Sequence, residues 1–183
     1  MIVWPAGIVI IRINWKNDQQ NALTMLKKNT ILSVLELGMV AGMRAMMPVA
    51  LLSHQLNNRK SERLKSSRLK FIQSPWPARV MKVLSVAELA GDKVPGAPDR
   101  IEVPQLLARM ASGAFAGAVV FKADDRNPVN GALIGGAAAL ASTYAFFYLR
   151  LQVGRSGKVK DSISGGVEDA IALATGRHAV QNL

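Results

Sequence analysis

The segment of residues 86–100, "VAELAGDKVPGAPDR", carries charged side chains where an apolar helix is still expected. On a helix, Ser85, Glu88 and Asp92 share one face because residues three or four apart are neighbours, and Lys93 lies on the opposite side. An ionisable group at the centre of a membrane costs about 2.5 kcal/mol or more, so it usually faces a partner or water. These charges therefore mark either a membrane boundary or a polar site between helices.

Two arginines in other apolar segments are candidate partners for these acids. Arg44 lies in the first segment and is the obvious partner for Glu88, and Arg109 lies in the third. In one interpretation, Arg44, Glu88 and Asp92 line a polar path for an ion or a proton, with Arg109 as a counter-charge. In the other, Asp92 and Lys93 lie at the membrane interface while Glu88 forms a pair that holds the helices in register. The sequence leaves both open.

Small residues recur at four-residue spacing inside the apolar segments. Two glycines spaced in this way share one helix face and allow another helix to approach closely. Such faces suit a subunit interface of a homo-oligomer, a narrow pore, or ordinary helix packing within the chain, which we favour. The pairs are Gly38 with Gly42, Gly113 with Gly117, and Gly131 with Gly135.

The composition predicts an all-α, polytopic membrane helix bundle. The 183 residues are 50% hydrophobic but only 5% aromatic, with 15 glycines, a mixture common in helical membrane proteins. A span needs about 20 apolar residues. The last apolar segment is too short, so an amphipathic or re-entrant helix ending at Gly176 is expected, with Glu168 and Asp169 complementing its N-terminal dipole. The four predicted spans are residues 31–53, 77–94, 103–121 and 129–149.

Several classes of chemistry lack the residues they need. The chain has no cysteine, and His54 and His178 are its only histidines, so neither a zinc nor a haem site is expected. The stripe of Met39, Met43, Met46 and Met47 is interpreted as adaptable packing and not as a soft-metal site. No triad spacing, phosphate loop or dinucleotide fingerprint is present. We therefore expect no enzyme, no metal and no cofactor.

A basic run follows the first apolar segment. Residues 54–71, "HQLNNRKSERLKSSRLKF", contain six lysines and arginines against a single acid, Glu62, in a chain of net charge +11. Such a run can contact anionic lipid headgroups or nucleic acid. The bilayer is favoured as the partner because no stacking aromatics or nucleic-acid motif accompany the run. The run favours a cytoplasmic location for this loop. In a four-span arrangement, the basic residues after residue 149 would then lie on the outer side. Either one segment is re-entrant or the positive-inside rule is overridden, and the orientation in the membrane stays open.

The first 24 residues differ from the rest of the chain. Their apolar start is too short to span a bilayer and lacks the basic region of a signal peptide. Met25 is followed by two lysines and a long apolar run. We interpret residues 1–24 as an extension that arises from a mis-assigned start, and residues 25–183 as a single helical membrane domain.

Three stretches resemble a bacterial membrane family known only as domain-of-unknown-function family 4126. They are "LELGMVAGMRAMMPVALLSHQL", "AELAGDKVPGAPDRIEVPQLLARMASGAFAGA" and "GALIGGAAALASTYAFFYLR". The most specific motifs are Gly42 with Arg44, Glu88 with Asp92, Lys93 and Pro95, and Glu168 with Asp169. The resemblance covers residues 25–176 and implies a small multi-span helical membrane protein without an assigned activity.

Together these observations predict a multi-pass protein of the bacterial inner membrane. Its expected role is transport or permeation of a small ion or solute through the polar cluster. The alternative is a non-catalytic scaffold that binds other helices through its small-residue faces.

Overall fold

The structure is a computed structural model that describes residues 15–91, 101–155, 161–181 and 183. Side chains are described for residues 29–88, 101–153, 165–181 and 183. Every element in these ranges is helical, which confirms the all-α prediction. The elements are α1 (Trp15–Met43), α2 (Met47–Asn58), α3 (Glu62–Lys65), a 3₁₀-helix (Arg68–Gln73), α4 (Pro75–Gly91), α5 (Val103–Ala123), α6 (Pro128–Arg155) and α7 (Asp161–Gln181).

Two of the described helices are long and apolar enough to cross a membrane: α5, and residues Pro128–Val153 of α6. These coincide with the third and fourth spans expected from the sequence. The core helix of a soluble protein can have the same length and composition. The described residues thus contain two candidate spans, fewer than the four expected from the sequence.

α1 and α2 form a helical hairpin, and the prediction of one continuous helix over residues 31–53 is wrong. The Thr30 hydroxyl donates to Asp124 at 2.8 Å, and the Arg63 guanidinium lies 3.9 Å from the same carboxylate. Thr30 precedes the tip of the hairpin and Arg63 follows it, so α2 must run back toward the end at which Thr30 lies. Both arms therefore open at one end of the bundle, where α5 ends and α6 begins. This end is called the basic end, because residues 59–70 lie there.

α7 packs along the hairpin, antiparallel to α1. Asp169 contacts Arg44 at the tip, whereas His178 lies 3.0 Å from Glu36, two turns back along α1. The helix continues through Gly176 to Gln181, so the predicted stop at Gly176 is wrong. Gly176 instead lies against the side chains of Leu51 and Val40, and an added Cβ would require the end of the Leu51 side chain to shift. Close packing, and not helix termination, explains this glycine.

α5 and α6 pack as an antiparallel pair at backbone-to-backbone distance. A Cβ at Gly117 would overlap the carbonyl of Gly131, and a Cβ at Gly135 would overlap the carbonyl of Gly113. α1 joins the pair because a Cβ at Gly38 would lie 2.6 Å from the Ala138 side chain, and one at Gly42 would lie 2.6 Å from the Ala139 carbonyl. All six glycines singled out in the sequence therefore lie at contacts between helices of the same chain.

Candidate functional site

The tip of the hairpin, residues Arg44, Ala45 and Met46, is a break between two helices in which Arg44 and Ala45 are buried and Met46 is partly buried. Pro48 accounts for its position. In a continuous helix, the proline ring would clash with the carbonyl of residue 44, and Pro48 has no N–H to donate to that carbonyl. α1 therefore ends at Met43, and Pro48 falls in the first turn of α2, where a proline is tolerated. The unpaired backbone groups at this break need partners from other helices.

Glu88 of α4 supplies the partner on the α2 side of the break. One carboxylate oxygen accepts the N–H of Ala45 at 2.7 Å, and the other accepts the N–H of Met46 at 2.9 Å. A carboxylate at this position also complements the positive end of the α2 dipole. Glu88 thus acts as an N-terminal cap contributed by a distant helix, which gives this acid a structural reason to lie in an apolar segment.

Arg109 and Ser112 of α5 supply partners for two carbonyls, one at the end of α1 and one in the break. The buried Arg109 guanidinium donates to the Gly42 carbonyl at 2.6 Å, and the Ser112 hydroxyl donates to the Ala45 carbonyl. Thr143 of α6 lies 3.5 Å from the same Gly42 oxygen. A cation at the C-terminus of α1 complements the negative end of its dipole. The charges of Arg109 and Glu88 therefore match the two helix ends that meet at the break.

The Arg44 side chain points to α7 and forms an ion pair with Asp169. Its Nε and one terminal nitrogen both lie 2.7 Å from the same carboxylate oxygen, Oδ1. The arginine side chain is only 4% exposed, whereas that of Asp169 is 24% exposed. The pair thus connects the buried break to the protein surface.

The structure brings together three of the five residues in the predicted polar cluster: Arg44, Glu88 and Arg109. Asp92 and Lys93 lie outside the described residues. Arg44 and Glu88 meet at the break as expected, but Glu88 binds the backbone N–H groups that follow Arg44, and the ion pair of Arg44 is with Asp169. The sequence pointed to the right location but not to this pairing.

Sequence reasoning missed the role of α7 in the site. The sequence predicts Glu168 and Asp169 as charges at the start of a helix, but α7 begins at Asp161, so they lie two turns inside it. Glu168 is buried, and Asp169 pairs with Arg44. Two adjacent acids in an apolar helix are themselves the signal that could have indicated this contact.

These features define a class of protein: an all-helical bundle built around a buried, charge-capped break in a helical hairpin. The family model for a domain of unknown function (DUF4126) matches residues 31–181, and the chain belongs to this family. The resemblance to this domain-of-unknown-function family is thereby confirmed over residues 31–181. No curated protein and no solved structure matches the chain.

Proposed function

We propose that this is a multi-pass protein of the bacterial inner membrane that lets protons pass through the break in the hairpin. The observation that carries the proposal is the Arg44–Asp169 ion pair, which joins a buried break in the backbone to the surface. Broken helices mark the substrate and coupling-ion sites of many transporters, because their free backbone ends and dipoles bind charge near the membrane midplane. Ionisable residues at such depth commonly serve proton relays.

The packing of the hairpin supports a membrane setting. Non-helical backbone is tolerated at membrane depth only where it is buried in protein or lines a cavity, because lipid offers no hydrogen bonds. Met43, Arg44 and Ala45 are buried, and side chains of other helices satisfy the groups of the break described above. α5 and α6 are apolar enough to span beside it. A re-entrant hairpin beside α5 and α6, with α4 packed against α2, accommodates these elements.

The charges at the break favour a proton over a larger ion. Arg44 and Arg109 are balanced by Glu88 and Asp169, so these four groups sum to zero. A metal cation or an anion would have to displace an existing ion pair or hydrogen bond. A proton displaces no group, because it binds to the Asp169 carboxylate itself. The neutral Asp169 then no longer forms an ion pair with Arg44. Asp169 is the carboxylate that carries the proton in this scheme.

Replacement of Asp169 by asparagine tests the role of the charge. Both nitrogens of Arg44 bind one oxygen, and an asparagine can retain that oxygen as Oδ1, so the two hydrogen bonds survive while the proton acceptor is lost. We expect Asp169→Asn protein to fold and insert, but to lower proton flux to the level of protein-free vesicles. The measurement is the internal pH of proteoliposomes, followed with a pH-sensitive dye after a pH gradient is imposed.

A matched control for this substitution is Asp125→Asn. Asp125 is exposed in the turn after α5 and has a φ of 57°, a backbone conformation that asparagine adopts readily. Its flux should equal that of the unmodified protein. Wild-type vesicles that show no proton flux, or Asp169→Asn vesicles that retain it in full, contradict the proposal.

The second candidate is a membrane scaffold, and the internal pairing of the polar groups favours it. Glu88, Arg109 and Ser112 all bind backbone groups of the break, as they would if their purpose were only to hold the hairpin. In that case, Asp169→Asn has no functional effect. The six glycines lie at contacts within the chain, so a scaffold would have to bind its partner through other surfaces.

Single cysteines test the membrane topology, since the natural chain has none. Cysteines that replace Asn29, Ser66 and Asn127 should all react with a membrane-impermeant maleimide from one side, because both arms of the hairpin open at the basic end. A cysteine at Gln152, near the far end of α6, should react from the other side. The basic run of residues 59–70 favours a cytoplasmic location for the basic end, and the side from which these cysteines are labelled decides the orientation. Labelling of Asn29→Cys and Ser66→Cys from opposite sides contradicts the hairpin, and labelling of all four in a soluble fraction contradicts the membrane location.

A further inference from the structure

A basic pocket of about 280 Å³ lies at the basic end, away from the break in the hairpin. It is formed where the segment between α2 and α4 folds back on itself. It is open to solvent over much of its surface, so it can hold one end of a larger molecule. The lining residues are Lys60, Lys65, Lys70, Gln73, Ser74 and Pro75.

The backbone around the pocket is fixed by the core. Leu64 and Ile72 are fully buried and belong to the same hydrophobic cluster as Val119 and Val120 of α5. The buried Gln73 side chain accepts the N–H of Ser61 at 2.7 Å, which ties the two ends of the segment together. The lysines are therefore carried by an anchored segment, and their position in the lining of one pocket is a property of the fold.

The positive charge of the lining residues favours an anion as the ligand of the pocket. Three of the six lining residues are lysines, and none of the six is acidic. Glu62 pairs with Lys65, but its side chain is largely exposed and it is not part of the lining. Like charges held together repel one another, and a bound phosphate that accepts hydrogen bonds from several lysines relieves that repulsion.

Exposed aromatic rings flank the same pocket. Trp76 is 72% exposed and Phe71 is 49% exposed, and they follow the lining residues Pro75 and Lys70 in the chain. Aromatic rings beside basic residues are typical of the interface between headgroups and acyl chains. A ligand that fits both features has an anionic phosphate and an apolar tail.

The geometry points to a binding site for the phosphate-bearing headgroup of an anionic lipid, held by Lys60, Lys65 and Lys70, with its acyl chains alongside Trp76 and Phe71. This differs from diffuse attraction between a basic loop and a charged membrane. A defined pocket makes binding depend on these three lysines and not on the total charge of the segment. The site is separate from Arg44 and Asp169, so it does not depend on the proposed proton path.

The experiment compares two variants of the full chain that lose the same charge. In the first, Lys60, Lys65 and Lys70 are replaced by glutamine. In the second, Arg59, Arg63 and Arg68 are replaced by glutamine; these arginines are exposed on the same segment but do not line the pocket. Native mass spectrometry in a non-ionic detergent counts the dioctanoyl phosphatidylglycerol molecules bound per chain as the lipid is titrated.

We expect the lysine variant to bind phosphatidylglycerol on the order of a hundredfold more weakly, about fivefold for each lysine removed. The arginine variant should lose much less, and replacement of the three lysines by arginine should preserve most of the binding. Dioctanoyl phosphatidylcholine, whose headgroup has no net charge, should bind weakly to all of them.

Several outcomes overturn the proposal. Equal loss in the lysine and arginine variants indicates diffuse surface charge. Inorganic phosphate that competes as strongly as the lipid indicates a free phosphate as the ligand, and tighter binding of a short RNA indicates a nucleic-acid surface. Asp169→Asn should leave lipid binding unchanged, so failure of this site and failure of the proton path are distinguishable.

Discussion

Glu88→Ala is expected to lower the free energy of unfolding by about 2 to 4 kcal/mol, because it leaves two backbone donors without an acceptor. The N–H groups of Ala45 and Met46 each bind one oxygen of this carboxylate, and Ala45 is buried. The loss of a negative charge at the start of α2 adds to the cost. Glu88→Gln should be intermediate, since its amide has one acceptor oxygen and its NH₂ group faces a donor.

The measurement is denaturant unfolding of the purified full chain in detergent, with Glu62→Ala as the control. Glu62 is the same residue type, but it is exposed and pairs only with Lys65 on the surface, so its replacement should change stability by about 0.5 kcal/mol or less. If Glu88→Ala and Glu62→Ala unfold alike, Glu88 does not cap the break. Because Glu88 has this structural role, a loss of function in Glu88→Gln could result from a destabilised hairpin alone. Asp169 is therefore the better residue with which to test the proposed proton path.

Gly135→Ala and Gly136→Ala are expected to change stability in opposite directions, although the two residues are neighbours on α6. A Cβ at Gly135 would overlap the backbone carbonyl of Gly113, which cannot rotate away, so α5 and α6 would have to separate. Overpacking of this kind costs about 3 kcal/mol, more than the roughly 1 kcal/mol that alanine gains over glycine in a helix. The expected result is a net loss of about 2 kcal/mol.

At Gly136, the nearest atom to an added Cβ is the Cβ of Ala114 at 3.5 Å, an ordinary van der Waals distance. Gly136→Ala should therefore gain up to about 1 kcal/mol from helix propensity alone. The same unfolding assay gives both values, and their difference cancels any general effect of alanine on α6. Destabilisation by both substitutions, or by neither, would contradict the close contact between α5 and α6.

The polar groups at the tip of the hairpin follow from the break in its backbone. Once Pro48 ends the helix, carbonyls of α1 and N–H groups before α2 lose their partners inside an apolar bundle. Arg109 and Ser112 satisfy the carbonyls, and Glu88 satisfies the N–H groups. Arg44 and Asp169 are not needed for this purpose, because their pair joins two side chains. They are therefore the pair whose presence most calls for a functional explanation.

Local sequence determined which segments are helical and where they can pack tightly. Long apolar runs without strand signals predict α5 to within two residues and the start of α6 to within one, because burial of an apolar face and intrinsic propensity act over neighbouring residues. α6 continues six residues beyond the predicted end at residue 149. The small-residue faces identified the close contacts for the same reason, since spacing along one helix fixes which residues share a face. Pro48 also indicates the break. The apolar segment of residues 31–53 is nevertheless long enough for one span, and its length alone predicts a single span there.

Only the tertiary structure decided the direction of the chain after the break and the partner of each charge. A proline ends a helix without specifying whether the next helix continues or turns back, and the contacts of Thr30 and Arg63 with Asp124 show that it turns back. Arg44 and Asp169 are 125 residues apart. No periodicity of a single helix relates positions so distant, because their meeting depends on how several helices pack together. The sequence thus determined the charged residues and the break in the helix. The packing of the helices determined which charged side chain meets each of the two helix ends at the break.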